Sequence, residues 1–170
     1  MTALNIFVVV VVLVATVTDV RRRRIPNVLT FSAALAALVF HAVAGGWHGV
    51  GWSAAGWLAG AFLFFPMFAL RGMGAGDVKL LAAVGAWLGP GQILIVALVA
   101  SIAGGVIAVV VATTHGYLRT AVSNVWMLLT HWRVVGVEPL DTVTLQGTAG
   151  PRLAYAVPIA IGTMVTLWLR

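Results

Sequence analysis

The sequence predicts an all-α, polytopic integral membrane protein with about six spanning helices, both termini outside and an amphipathic helix on the cytoplasmic face. Three observations predict it. Of 170 residues, 62% are hydrophobic and 8% charged, whereas soluble domains carry about 25% charged residues; the mean hydropathy is +1.08. The apolar residues gather into runs at or near membrane length, parted by glycine, proline and short basic clusters. With six spans, nine of the ten basic residues fall at one face and only Arg170 at the other, the bias that marks the cytoplasmic side.

The +6 net charge therefore reads as orientation rather than nucleic-acid binding. Arg21 to Arg24 abut an apolar helix, where a basic cluster anchors on the anionic headgroups of a lipid bilayer. The absence of cysteine excludes disulfides, thiolate metal sites and cysteine nucleophiles. Histidines stand at 41, 48, 115 and 131, never at the i, i+3 or i, i+4 spacing of a helical ligand pair. No metal site is expected, and no cofactor.

One membrane-embedded domain, 1–170, accounts for the whole chain. The first span is 4–18, slightly short of the usual ~20 residues. Its arginines follow the apolar run instead of preceding it, which is the reverse of a signal peptide. Asp19 closes this helix. Ile25-Pro26-Asn27 breaks the chain, because proline disfavours helix before it and suits a first turn after it. The second span is 28–44. Gly45, Gly46 and Gly51 mark an external turn, with Trp47 and Trp52 at headgroup depth. The third span, 50–70, ends at Arg71.

The fourth span, 77–88, is closed by Gly89-Pro90-Gly91 and is too short to cross ~30 Å of hydrocarbon. Asp77 is therefore expected below the membrane surface, where irregular backbone survives only when buried in protein or lining a wet cavity. The fifth span is 92–113, with Ala103-Gly104-Gly105 suited to close helix packing. A cytoplasmic segment, 114–151, follows. In it Leu118, Ala121, Val122, Val125, Leu129 and Trp132 recur at helical spacing opposite Arg119, Ser123 and Thr130, as in a helix lying on a membrane surface. Glu138 and Asp141 are expected to be solvated there. The last span, 153–169, is expected to be broken by Pro158 and Gly162.

Chemistry concentrates in Gly72-Met73-Gly74-Ala75-Gly76-Asp77-Val78-Lys79. A charge near a bilayer centre costs roughly 2.5–3.5 kcal/mol, so an ionisable residue at that depth is a candidate functional group. The glycines allow another backbone to approach closely. The topology brings Asp19 and Asp77 to one face, from helices 58 positions apart. Two carboxylates that share a proton can hydrolyse an amide, the ionised one taking a proton from water while the protonated one donates to the carbonyl oxygen. Two other readings stand beside this one. Intramembrane Asp and Lys residues also build small proton- or ion-coupled transporters, and an aspartate can simply cap a helix.

The segment Asp19-Val20-Arg21-Arg22-Arg23-Arg24-Ile25-Pro26-Asn27 resembles the first-aspartate motif of the type IV prepilin peptidases. Gly74-Ala75-Gly76-Asp77-Val78-Lys79 resembles their second, the GxGD motif of the intramembrane aspartyl proteases. Residues 151–162 are similar to the family's C-terminal segment, with Ala154 where a proline usually precedes the tyrosine. The resemblance implies Asp19 and Asp77 as the catalytic pair, with Gly74, Gly76, Lys79, Arg24, Pro26 and Asn27 as the supporting motif.

It further implies a multi-pass enzyme of the bacterial cytoplasmic membrane that cuts prepilins or pseudopilins after a glycine, at the cytoplasmic face, without metal or cofactor. Lacking cysteine and entering its first helix early, the chain resembles the short, peptidase-only form found with tight-adherence pili. Lys79, two positions from Asp77, does not face it on a regular helix; it is expected to meet headgroups or substrate charge. Asn27 and Pro26 are expected to shape the turn beside Asp19. The helix ends predict a division of labour, with Asp77 at a helix start as the base and Asp19 at a helix end as the acid.

Overall fold

Backbone in hydrocarbon has no water to bond, so it must satisfy itself within helices or a closed barrel. A computed structural model of the chain describes residues 3–134, 136 and 153–169, and shows no strand among them. Its helices are α1 (Ala3–Arg22), α2 (Asn27–Ala69), α3 (Ala75–Leu88), α4 (Pro90–Thr114), α5 (Leu118–Val134) and α6 (Ala156–Trp168). Of these, α1, α2 and α4 are long and apolar enough to cross a membrane. Glu138, Asp141, Pro151, Arg152 and Arg170 lie outside the described residues, and so does the expected solvated loop.

The first helix runs a full turn further than expected, with Arg21 and Arg22 in its last turn, where cations suit the negative helix end. Asp19 thus sits inside the helix rather than at its close. The second and third expected spans are the two arms of α2, whose helical backbone is interrupted at Gly46 (φ 56°, ψ −142°). That left-handed φ is open to glycine and unfavourable for most other residues. Gly49 backs so closely on the His41 carbonyl that a Cβ would overlap it. The arms, 27–45 and 47–69, therefore fold back on each other as a hairpin. Gly51, expected in the turn, lies within the second arm with open space around it.

The short helix α3 is the centre of the molecule, buried from Leu80 through Leu88. It reaches only about 21 Å at 1.5 Å per residue, and α1, α2, α4 and α6 enclose it. Trp87 Nε1 donates to the Ala33 carbonyl at 2.9 Å from one arm of α2, and Ser53 Oγ donates to the Ala86 carbonyl at 3.0 Å from the other. Against the second arm the packing is backbone to backbone. A Cβ on Gly56 would fall on the Gly85 carbonyl and one on Gly85 would fall on that of Gly56, while one on Gly60 would stand 2.6 Å from the Leu81 oxygen. Gly89 (φ +82°) then reverses the chain into α4, under the ring of Trp52.

The close packing expected at residues 103–105 is present in part. Gly104 seats the Tyr155 ring, whereas Gly105 faces open space. The last helix is not broken. Pro158 stands in the first turn of α6, where proline is tolerated, and Gly162 fits against the Val96 carbonyl of α4. On α5, Val122, Val125, Trp126 and Leu129 are all exposed.

Candidate active site

An α-helix returns to the same face every three or four residues, and in α1 that stripe is Val8, Val12, Ala15 and Asp19. All four are buried, Asp19 at 8% exposure. The periodicity that packs the apolar residues thus draws the carboxylate in with them. A buried charge needs a partner, and Asp19 finds one in α6: its Oδ2 accepts from the Ala156 backbone N–H at 3.3 Å. Thr16, one turn earlier, donates to the Ala156 carbonyl at 3.2 Å while also reaching Val12 at 2.8 Å.

Asp77 is the third residue of α3. Gly74 (φ −75°, ψ 145°) occupies the N-cap, so the N-cap reading of Asp77 does not hold. Its carboxylate reaches back to the Gly74 N–H, as the acid of a capping box does. A Cβ on Gly74 would stand 3.2 Å from Oδ2. The aspartates share one cavity of about 250 Å³, also lined by Arg23, Arg24, Ile25 and Asn27 and by Gly74, Ala75, Gly76 and Lys79. They are close enough for the charge of Asp19 to act on Asp77.

Each supporting residue has a definite place. Gly76 seats Ile25, whose Cβ would lie 3.2 Å from a Cβ built there. The close approach at this glycine is thus made by the loop after Asp19. Pro26 is the N-cap of α2 (φ −62°, ψ 131°), and its carbonyl accepts from Leu29 N–H at 3.1 Å. Arg24 is exposed on the cavity rim. Lys79 turns to Asn27, donating to its Oδ1 at 2.9 Å.

Sequence reasoning missed Ile25, Thr16 and the Ala156 peptide, and left Tyr155 without a role. Tyr155 lies near enough to feel the charge of Asp77, and its ring meets Phe64 edge-on at 5.6 Å. The 3-4 spacing from Val8 to Asp19 was the available signal for the α1 face; nothing local pointed to Ala156. The helix-end argument for separate roles also changes. Asp19, in the last turn of α1, also faces the N-terminus of α6, so a negative and a positive helix end act on it together, while Asp77 meets a positive end alone. Among the described residues, no three His, Asp or Glu side chains cluster as metal ligands. A larger cavity, about 470 Å³ and lined by Phe31, Leu35, Leu38, Trp57 and Leu58, holds no titratable group and offers no acid–base chemistry.

Residues 6–109 match the model of the type IV leader peptidase family, which is more than half of the chain. Two curated relatives, from Burkholderia pseudomallei strains 1026b and K96243, are named prepilin leader peptidase/N-methyltransferase. Each is 45% identical over 58 residues, 34% of this chain and 18% of the relative's length. No solved structure matches the chain.

Proposed function

The chain belongs to the type IV leader peptidase family, and from that premise we propose that it is a membrane aspartic endopeptidase removing the leader peptides of type IV prepilins or pilin-like proteins. The observation that carries the reading is the convergence of Asp19 and Asp77, from different helices, on one cavity. A volume of about 250 Å³ accommodates a stretch of extended peptide with a water, whose own share is ~30 Å³.

The two acids begin with one proton between them. The ionised carboxylate takes a proton from water, and the water oxygen bonds to the scissile carbonyl carbon. The protonated carboxyl gives its proton to the carbonyl oxygen, leaving a neutral tetrahedral diol. In the second half the proton gained from water passes to the amide nitrogen, the C–N bond breaks, and a diol proton returns to the dyad. Water has been divided between the two products and the acids are restored.

The resemblance implies a cut after a glycine, and charge favours the cytoplasmic face of the inner membrane. Arg21 to Arg24, Arg71 and Lys79 all flank the cavity end of the bundle, which is the positive-inside arrangement. The test is co-expression with a prepilin. The wild type should yield the trimmed product, and Asp19→Asn or Asp77→Asn should reduce trimming by at least ~10³-fold, the scale lost when a catalytic group is removed, while still inserting into the membrane. Normal trimming by either variant would falsify the dyad. Proton-coupled flux in vesicles with an uncut prepilin would point to the transporter instead.

A further inference from the structure

We propose that Lys79 is a positioning residue, tying the Asp77 helix through Asn27 to the loop that follows Asp19; the proposal rests on the peptidase reading. Lys79 Nζ donates to Asn27 Oδ1 at 2.9 Å and lies 5.5 Å from the Phe31 ring centroid. Both partners belong to the start of α2, Asn27 as its first residue and Phe31 one turn on. The ammonium is thus engaged by an amide oxygen and an aromatic face, the latter attracting a cation through its quadrupole. A lysine serving only as a headgroup anchor would extend away from the protein.

The consequence lies in the chain path. The end of α1, three residues after Asp19, is joined to Asn27 by residues 23–26, which are not helical. A connection of that kind leaves the start of α2 free to shift against α3 unless cross-links hold it. Further along, Trp87 holds the first arm at Ala33; at the cavity itself the start of α2 is held through Ile25 and Asn27. Ile25 rests on the bare α-carbon of Gly76, and Asn27 accepts from Lys79. One contact alone permits rotation about itself; two fix the register. Since Gly76 and Lys79 flank Asp77, the two contacts set where Asp77 stands relative to Asp19. The spacing of Lys79, two residues after Asp77, is what turns it toward α2 and away from the carboxylate.

The test uses the full chain in lipid with a prepilin substrate, comparing Lys79→Met, Asn27→Ala and the double variant. Misplacement by about 1 Å can lower turnover by up to about 100-fold, so each single change should lower kcat about tenfold or more, with KM within about twofold. The double variant should be no worse than the singles, because both remove the same tie. Asn27→Asp, which keeps an acceptor at that position, should retain most of the wild-type kcat. A raised KM at unchanged kcat, multiplied losses in the double variant, or wild-type kcat in Asn27→Ala would overturn the proposal. A wild type that leaves prepilin whole would sink the peptidase reading separately. Amide hydrogen exchange over residues 24–31 then decides the tie: faster exchange in Lys79→Met supports it, and unchanged exchange overturns it.

Discussion

Gly76 gives up its side chain to Ile25, and this makes the residue a sensitive point. A Cβ would stand 3.2 Å from Ile25 Cβ, so the loop after Asp19 must yield by a few tenths of an ångström to admit a methyl group. Alanine is also the better helix former by about 1 kcal/mol, and Gly76 lies in the first turn of α3. Gly76→Ala is therefore expected to keep or slightly raise thermal stability while lowering kcat several-fold, and Gly76→Val to lose both. Melting in detergent and prepilin trimming, measured on the same preparations, separate the two effects. Full activity in Gly76→Val would show that the spacing of the acids does not depend on this contact. The glycine was visible in the sequence as part of GxGD; its neighbour was not, because Ile25 meets it only after both arms of α2 intervene.

At the scale of elements, the packing of α3 against the second arm of α2 decides whether the cavity exists. Gly56 and Gly85 meet backbone to backbone, and a carbonyl cannot step aside as a flexible side chain can. Overpacking of a tight interface costs typically 1–3 kcal/mol, occasionally more. Gly56→Val is expected to destabilise by at least that amount and to lower the yield of folded protein. Gly51→Ala, in open space on the same arm, is expected to be neutral or mildly stabilising. Equal melting midpoints for the two variants would contradict the close approach. The length and apolar character of α1, the Pro26 boundary and α5 were all legible from composition and spacing. The glycine face was not, since glycines in an apolar run mark turns and close contacts alike, and only the partner helix tells them apart.

For the whole molecule, the hairpin of α2 and the reversal at Gly89 place the cavity at one end and the Gly46 turn at the other. Reporter fusions at Arg24 and Arg71 should read as cytoplasmic, and fusions at Gly46 and Gly91 as external, following the positive-inside rule. A cytoplasmic Gly46 would mean that the arms of α2 do not cross the bilayer as a hairpin. The short helices α3 and α6 have 14 and 13 residues, below the ~20 of a solitary span. Enclosure by their neighbours lets α3 be short.

The sequence by itself determined the membrane class, the order of the helices, the asymmetry of charge and the two candidate acids, because hydropathy, charge and helical period are local properties written along the chain. The tertiary structure alone decided which residues touch. It set the amide of Ala156 on Asp19, Ile25 on Gly76 and Asn27 on Lys79, partners separated by 137, 51 and 52 positions. Such contacts depend on how helices rotate about their axes when they pack, and no window along the chain encodes that rotation.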